Sequence, residues 1–553
     1  MSDRILSGQR TSFWEIGGAF LLGAIAVTLL AVQCASLYRF PQPDAGRWYG
    51  DETWQMREFQ TQVQTGVLRD PDAPASSIYH HNGIVPNSLW LDAMVFGGAE
   101  ALLFPNYSTV AIGRTVTFAF ALVLLAFFYY GLRKWELPPW LALAGVVALA
   151  ANRDFFYASH SARYDLWTAL GVLIGIVLLA NAWNKVRHQR KPDRGRHYFL
   201  MLFPALTLAW NFHVVRILWL PFVALVVLYF SINRGMAIRL LVGNGIAAIA
   251  LLLPSILILH SHHLFHYGSE PSMLGLTFGD LPLVRPFTDR LLRMTVVERF
   301  LSLQSEAPVA LYLAVGAVVL SAALLAFQRV RLRSGSRSRS GLLLLTALAI
   351  ASWALTLRDM RYYDIQILPA IVFTALVLGY TVMRDSGIVT KRVGIIMLLA
   401  LVAIAAGLSF RDASVAGQRS RILANDLERV TSTVKSDIQA HALGGRPVVL
   451  AELQLQDYLL TDPRLRTINA LFREYPDTPM TLPQFLAREH VDFIFTAKRS
   501  SIFTDLAGKQ PLEDSLLRNA SEFHGHFSDA GFDYFGSEPA PEDTLVLYPV
   551  PNP

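Results

Sequence analysis

The sequence has a single cysteine, few charged residues and no long internal repeat. Because Cys34 is the one cysteine among 553 residues, an intramolecular disulfide and a cysteine metal site are both excluded. Charged residues make up 16% of the chain and hydrophobic residues 53%, a balance outside the range of ordinary soluble proteins. The net charge of +6 calls for no nucleic-acid partner, because the positions of the basic residues explain it better.

The apolar residues gather in runs long enough to cross a bilayer. A helix rises ~1.5 Å per residue, so ~20 apolar residues cover the ~30 Å hydrocarbon layer. About eleven spans are predicted on this basis. They lie near residues 13–37, 108–131, 137–152, 165–184, 198–213, 215–232, 238–260, 308–328, 341–357, 365–383 and 392–410. The first run lacks a small-residue cleavage site, so we expect it to remain as a helix rather than be removed as a signal peptide.

The connections between the spans alternate between a short basic set and a longer mixed set. The basic set includes residues 185–196 and 329–339, and the positive-inside rule assigns it to the cytoplasm. The mixed set then faces outward and comprises residues 38–107, 153–164, 261–307, 358–364 and the tail from 411. This predicts a multi-pass protein of the inner (plasma) membrane with its outer loops in the periplasm or exterior. Residues 83–105, which polar side chains interrupt, are predicted to form an interfacial helix on the outer surface rather than a span.

The composition changes at Arg411, where the apolar spans end. Strand patterns at residues 448–451 and 492–496 alternate with helical patterns at 423–439 and 482–490, which predicts a small α/β domain. We therefore expect an all-α polytopic membrane bundle of about eleven transmembrane helices with outer-face interfacial helices over residues 1–410. A small extracytoplasmic (periplasmic) α/β domain is expected over residues 411–553.

Two adjacent acids, Asp51 and Glu52, lie among aromatic residues in the first outer loop. Neighbouring side chains diverge by about 100° on a helix and point to opposite faces on a strand. The two acids therefore cannot straddle one reacting carbon as a glycosidase pair does, and at most one performs proton chemistry. The alternative interpretation is that both acids are solvated loop residues without a catalytic role.

A second group of candidates lies around the start of span four, where Arg153, Asp154, Arg163 and Asp165 occur. An acid at the start of a helix is favoured by the helix dipole, so capping also explains Asp165. Arg163 is harder to explain structurally, although arginines do extend toward membrane interfaces.

Two further groups are predicted at the same membrane face. Arg361 and Tyr362 precede span ten. The alternative to a functional role is that they belong to a girdle of aromatic and basic residues at the membrane interface. His213 and Arg216 lie where two short spans meet, and a lone histidine is usually structural. The histidines between residues 260 and 266 show no ligand pattern beyond one i, i+4 pair, so we interpret them as a loop.

These segments resemble the polytopic glycosyltransferases of the C superfamily, in particular the lipid A aminoarabinose transferases and protein O-mannosyltransferases. Residues 50–56 resemble the family's Asp-Glu motif in the first outer loop. Arg114 resembles an arginine at the entry of span two, and residues 161–165 and 361–369 resemble later outer-face motifs. One departure is that residues 82–86 stand where the family often has a proline pair, and this leaves the substrate class open.

The resemblance implies transfer of a sugar from a polyprenyl-phosphate donor to an extracytoplasmic acceptor, which is a lipid, a glycan or a protein. It implies that Asp51 is the general base. Arg163 and Arg361, and less strongly His213 and Arg216, would bind the donor phosphate. Glu52 or Asp165 could instead hold a divalent metal ion. Asp154, Tyr362 and Arg114 complete the set of substrate-binding or metal-binding candidates.

Two alternatives stay open at this stage. An O-antigen ligase or polymerase would also use lipid-linked glycans and large outer loops. A non-enzymatic transporter or flippase is disfavoured, because transporters place charged groups near mid-membrane in repeated halves. Here the charges cluster at one surface, and no repeat of the first half is visible in the second.

Overall fold

The computed structural model comprises a helical bundle and a small mixed sheet. The residues that it describes are 13–36, 109–160, 165–187, 212–232, 234–235, 237–243, 245–246, 340–356, 364–385, 426, 429–442, 445–451, 455, 459, 462, 464–469, 482–497, 520–525 and 543–550. The predicted spans at 308–328 and 392–410, the interfacial helix at 83–105 and most of the predicted spans at 198–213 and 238–260 lie outside this set.

The helical part contains eight described helices with defined bounds. They are α1 (Phe13–Ser36), α2 (Thr109–Lys134), α3 (Pro139–Ala150), α4 (Arg153–Ser159), α5 (Asp165–Arg187), α6 (Phe212–Ile232), α7 (Ser340–Thr356) and α8 (Asp364–Asp385). Within α1, α2 and α5, Ile16–Ala35, Gly113–Lys134 and Asp165–Asn184 are long and apolar enough to cross a membrane. These apolar helices support a membrane protein.

The described helices lie close to the predicted spans, with two differences. The short helix α4 lies in a predicted outer loop, and α6 crosses a predicted break. The sequence predicted a break near residue 214, between spans at 198–213 and 215–232, whereas α6 begins at Phe212 and continues without interruption to Ile232. Pro221 lies inside this helix. Apolar neighbours on both sides of residue 214 allow the helix to start earlier than the predicted break, because His213 and Arg216 are short interruptions in an otherwise apolar run.

Close contacts between helices fix the direction in which each one runs. Gly18 approaches Trp140 and Gly23 approaches Leu143. Near the carboxyl ends of α1 and α3, the Gln33 amide donates to the carbonyl of Ala150 over 2.7 Å. In these pairs the residue numbers increase together along both helices, so α1 and α3 run in the same direction.

The helix α8 packs against α2, α3 and α5. Its phenylalanine Phe373 lies against Gly131, and a Cβ added at Gly145 would lie 2.5 Å from Leu376 Cδ1. Glycine at these positions therefore lets helices pack more closely than a larger side chain would allow. Mid-bundle, the hydroxyls of Thr346 on α7 and Thr374 on α8 are 2.8 Å apart.

The described part of the tail contains a five-stranded sheet in the order β2-β1-β3-β5-β4. Its strands are β1 (Val448–Ala451), β2 (Arg466–Asn469), β3 (Phe493–Ala497), β4 (Ser521–Gly525) and β5 (Asp543–Pro549). The strands β2, β1 and β3 are parallel, and β5 and β4 join antiparallel. A helical segment over residues 429–441 covers one face and α9 (Leu482–Arg488) the other, each with its own apolar cluster. This is the α/β arrangement that the sequence predicted for the tail.

Candidate functional site

The predicted site residues divide into those the structure describes and those it does not. Arg114 and Asp165 are described with their side chains and are buried, with 4% and 0% of their surface exposed. Asp154 lies on α4, and His213 and Arg216 lie in the first two turns of α6. The remaining candidates lie outside the described residues: Asp51, Glu52, Arg163, Arg361 and Tyr362.

Asp165 begins α5 and is bonded to the first turn of α8. The Gln366 amide donates a hydrogen bond of 2.9 Å from Nε2 to Asp165 Oδ1. Both side chains are completely buried, so solvent does not compete for the bond. The sequence offered helix capping or metal binding as explanations of Asp165, and the structure adds a hydrogen-bond partner 201 residues away along the chain.

His160 connects the segment after α4 to the end of α1. Its Nε2 lies 3.1 Å from the carbonyl oxygen of Gln33, and its Nδ1 lies 3.0 Å from Ser159 Oγ. The ring also stacks on Phe156, with centroids 4.1 Å apart. Nδ1 also lies 2.8 Å from the carbonyl oxygen of Phe156, to which the Ser159 hydroxyl donates over 2.8 Å. A neutral imidazole has one N–H, so the ring donates either to the carbonyl of Phe156 or to that of Gln33, depending on its tautomer.

The charge state of His160 follows from its surroundings. Burial lowers its pKa from 6.5 to about 4, and the nearby positive charge of Arg114 lowers it further, although hydrogen bonds to the carbonyls of Phe156 and Gln33 oppose the shift. The ring is therefore neutral at physiological pH, and Arg114 is the charged member of the pair.

The short helix α4 is held in place from its start. The Phe155 N–H donates to Asn152 Oδ1 over 3.0 Å, which makes Asn152 an N-cap. The capped helix packs against α2, α5 and α8. It therefore delivers His160 into the same end of the bundle as Asp165.

These contacts define one end of the bundle, which we call the junction end, by Gln33, Arg114, His160, Asp165 and Gln366. The carboxyl ends of α1 and α3 meet the amino ends of α2, α5 and α8 there. Phe120 and Trp167, with ring centroids 4.4 Å apart, join α2 to α5 at the same level. The sequence predicted that these helix ends lie at one membrane face. The hydrogen bonds of Gln33, His160 and Asp165 bring the ends close to one another.

The opposite end, which we call the basic end, is defined by Arg133, Lys134, Glu136 and Arg384. Arg384 Nη1 lies 2.7 Å from Glu136 Oε2 in an exposed ion pair, with 37% and 69% of the side chains exposed. Lys134 Nζ lies 5.6 Å from the centroid of the Tyr130 ring. In contrast to the junction end, the charges here are solvated.

The described residues do not form a metal site. No group of three or more histidine, cysteine, aspartate or glutamate side chains lies close enough to hold an ion in this part of the chain. Asp165 has a glutamine amide nitrogen on one oxygen, and a donor group there competes with a cation for the same oxygen.

Sequence reasoning missed Gln33, Asn152 and Gln366 as members of this site. The available signal was their occurrence as uncharged polar residues within or beside apolar spans, where burial requires a hydrogen-bond partner. What the sequence did not supply was the pairing of helices, which decides the partner of each residue.

Comparisons with known proteins give no sequence relatives but several structural ones. No protein-family model matches the chain, and no curated protein matches it. The archaeal oligosaccharyltransferase AglB from Archaeoglobus fulgidus, solved with an inhibitory peptide and a dolichol-phosphate, is similar with a TM-score of 0.46 and 10% identity. That match covers 88% of this chain and 69% of AglB. A second structure of the Archaeoglobus fulgidus oligosaccharyltransferase, with Zn and sulfate, has a TM-score of 0.46, 10% identity and coverages of 86% and 68%.

A bacterial structure is similar over nearly the whole chain. ArnT from Cupriavidus metallidurans bound to undecaprenyl phosphate has a TM-score of 0.47 and 13% identity, and the match covers 96% of this chain and 98% of ArnT. AglB and ArnT are both polytopic glycosyltransferases of the C superfamily, the family that the sequence motifs resemble. At these identities and scores the likenesses carry no argument about the chemistry of this chain.

Proposed function

We propose that the chain is an integral membrane glycosyltransferase that moves a sugar from a polyprenyl-phosphate donor to an acceptor outside the cytoplasm. The observation that carries the proposal is the buried bond between Asp165 and Gln366 at the junction end. It joins the starts of two helices whose preceding segments carry the arginines expected to bind phosphate.

Chain connectivity limits how far those arginines lie from the bonded pair. Arg163 precedes Asp165 by two residues, and Arg361 precedes Gln366 by five. An extended chain covers at most ~3.6 Å per residue, so the two backbones are tethered within about 7 Å and about 18 Å of the pair. An arginine side chain adds reach and offers a planar fork that suits a phosphate.

The proposed chemistry needs one base and fixed cations. Asp51 removes the proton from the acceptor hydroxyl, and the hydroxyl oxygen bonds to the anomeric carbon of the sugar. The bond between that carbon and the phosphate oxygen breaks, and the polyprenyl phosphate leaves with the electron pair. Arg163 and Arg361 stabilise the charge that grows on the phosphate. Phosphate is already a good leaving group, so no general acid is required, and a single displacement inverts the anomeric carbon.

The distribution of buried charge supports an enzyme over a transporter. In the described part of the helical bundle, the buried arginine, histidine and aspartate side chains, which are Arg114, His160 and Asp165, all belong to the junction end. The described mid-bundle contact between α7 and α8 is the uncharged Thr346–Thr374 pair. A transporter would be expected to hold its charged groups near the bilayer midplane. The surface placement instead suits a substrate whose apolar tail stays in the lipid.

The test compares Asp51→Asn with Glu136→Gln, a matched change of one carboxylate at the basic end. Purified full-length protein is supplied with undecaprenyl-phosphate-linked hexose or pentose and an extract of envelope lipids, and released undecaprenyl phosphate is quantified by mass spectrometry. Loss of a general base costs ~10²–10⁴ in rate, so we expect D51N to lose at least about 100-fold. We expect E136Q to stay within about twofold. Near-normal release by D51N would remove Asp51 from the mechanism.

A further inference from the structure

One face of α2 is exposed from residue 119 to residue 134 and ends in two basic side chains. Its exposed residues are Ala119, Leu122, Val123, Ala126, Tyr130, Arg133 and Lys134. An α-helix turns ~100° per residue, so Arg133 lies ~60° to one side of Tyr130 and Lys134 ~40° to the other. We call this face the α2 stripe. It is a largely apolar strip of helix surface that leads to a pair of cations.

Lys134 lies over the tyrosine of the α2 stripe. Its Nζ is 5.6 Å from the centroid of the Tyr130 ring and 3.4 Å from the Tyr130 hydroxyl oxygen. The face of an aromatic ring attracts a cation, and 60% of Tyr130 is exposed. An ammonium group has three N–H donors, so these contacts hold the cation in place and leave donors for a further ligand.

The turn that follows α2 fixes the position of Arg133. Glu136 has a φ of 67°, and its N–H donates to the carbonyl of Arg133 over 3.1 Å. The Leu137 N–H donates to the carbonyl of Leu132 over 3.2 Å, which completes a Schellman motif. Arg133 Nη1 in turn donates to the carbonyl of Leu137. A guanidinium has five N–H donors, and Arg133 stays exposed, so this one bond leaves donors for a ligand.

The acid of this turn is matched by a cation from another helix. Glu136 Oε2 lies 2.7 Å from Nη1 of Arg384 in the last turn of α8. Arg133 and Lys134 form no ion pair with an acid in the part of the chain that the structure describes. The two cations at the end of the α2 stripe therefore present positive charge that an external anion can neutralise.

We propose that Tyr130, Arg133 and Lys134 bind the headgroup phosphate of an anionic membrane phospholipid whose acyl chain lies along the α2 stripe. The two cations supply the N–H donors that a phosphodiester accepts, and the apolar residues of the stripe contact the chain. The site lies at the opposite end of the bundle from the junction end, so the inference does not depend on the proposed sugar transfer. The alternative is that the cations only orient the chain in the membrane, which requires their charge but no bound lipid.

The test compares Arg133→Gln/Lys134→Gln with Arg446→Gln/Arg466→Gln. Each double variant removes two exposed cations, and Arg446, like Arg133, donates to a backbone carbonyl. Full-length protein in detergent is titrated with phosphatidylglycerol or phosphatidylcholine, and native mass spectrometry quantifies the bound lipid. A basic residue at an anionic surface contributes about fivefold in affinity.

We therefore expect the preference for phosphatidylglycerol over phosphatidylcholine to fall at least about fivefold in R133Q/K134Q. We expect it to stay within about twofold in R446Q/R466Q, because these arginines belong to the sheet of the tail rather than to an apolar helix. Equal falls in the two double variants would overturn the proposal. If R133Q/K134Q does not fold, Lys134→Gln replaces it, and a wild-type preference in K134Q would overturn the proposal.

Two further variants separate a headgroup site from structural support of the turn. The exchange Arg133→Lys/Lys134→Arg keeps both charges, so we expect it to retain the preference for phosphatidylglycerol. Glu136→Gln removes an acid from the same turn, and the preference should be kept or raised because a repulsive charge is lost. A fall in E136Q as large as that in R133Q/K134Q would overturn the proposal.

Two other phosphate ligands test the commitment to a phospholipid. Inorganic phosphate has no acyl chain, so we expect it not to displace bound phosphatidylglycerol. Undecaprenyl phosphate should bind R133Q/K134Q as it binds wild type. Displacement by inorganic phosphate would show an anion site without a lipid component. Loss of undecaprenyl phosphate binding with an unchanged preference for phosphatidylglycerol would assign the cations to the polyprenyl carrier, and either result would overturn the proposal.

Discussion

The two ends of the helical bundle handle charge in opposite ways. At the junction end Arg114, His160 and Asp165 are buried, and their polar atoms meet other protein groups. At the basic end Glu136 and Arg384 form an exposed pair in contact with solvent. Burying a charge is costly unless protein groups replace its water, whereas a solvated charge costs little. The difference teaches that the charges of the junction end are satisfied by protein groups, whereas those of the basic end are satisfied by solvent.

Among the changes that compare the two ends, the largest effect on transfer is expected when the arginine of the junction end is removed. Arg114→Met removes a buried cation, with 4% of the residue exposed, and Arg384→Met removes an exposed one. Charges act more strongly where water is excluded, so we expect R114M to lower the rate of transfer from an undecaprenyl-phosphate-linked sugar more than tenfold. R384M should remain within about twofold. Arg114→Lys serves as the control that keeps the charge, and equal losses in R114M and R384M would remove the contrast between the ends.

A smaller effect is expected in the pH dependence of stability at the junction end. His160 has a folded pKa of about 4 and an ordinary value of 6.5, so the unfolded state binds a proton in this range that the folded state does not. Stability is therefore full above pH 6.5 and declines as the pH falls toward 4. The shift corresponds to at most about 3 kcal/mol.

The measurement is thermal unfolding of the full-length protein in detergent between pH 8 and pH 4. A His160→Gln variant, which does not titrate, should show a flatter profile than wild type over the same range. Identical slopes for the two proteins would show that His160 is solvated rather than buried.

The smallest effect is expected at the basic end. An exposed ion pair contributes about 0–1 kcal/mol, so a double-mutant cycle of Glu136→Gln and Arg384→Met should give a coupling energy below about 1 kcal/mol. Because the Debye length falls to ~3 Å at 1 M salt, high salt should reduce the coupling further. A salt-independent coupling energy above about 2 kcal/mol would show that the Glu136–Arg384 pair is shielded from solvent, as the charges of the junction end are.

The sequence predicted the apolar helices well because length and hydrophobicity determine them. The predicted spans at 13–37, 341–357 and 365–383 correspond to α1, α7 and α8 within a few residues. In the tail, the strand at Val448–Ala451 was predicted at its observed bounds. The strands β2, β4 and β5 were not predicted, because short strands are stabilised by the neighbours they pair with rather than by their own pattern.

The site was predicted less completely, for a related reason. Arg114 and Asp165 are noticeable in sequence because charges are rare near apolar spans. Gln366 is not, because an uncharged amide at the start of a helix has an ordinary interpretation. Its importance depends on Asp165 being its neighbour, and that contact joins residues far apart along the chain. The positions of Asp51, Glu52, Arg163, Arg361 and Tyr362 remain sequence predictions.

The most direct test of the contrast between the two ends is their sidedness in the membrane. In a Cys34→Ser background, Ala35→Cys places a thiol at an exposed position of the junction end, and Glu136→Cys places one at the basic end. A membrane-impermeant maleimide is applied to right-side-out and inside-out vesicles. The account predicts labelling of A35C from the outside and of E136C from the cytoplasmic side. Labelling of E136C in right-side-out vesicles would contradict it.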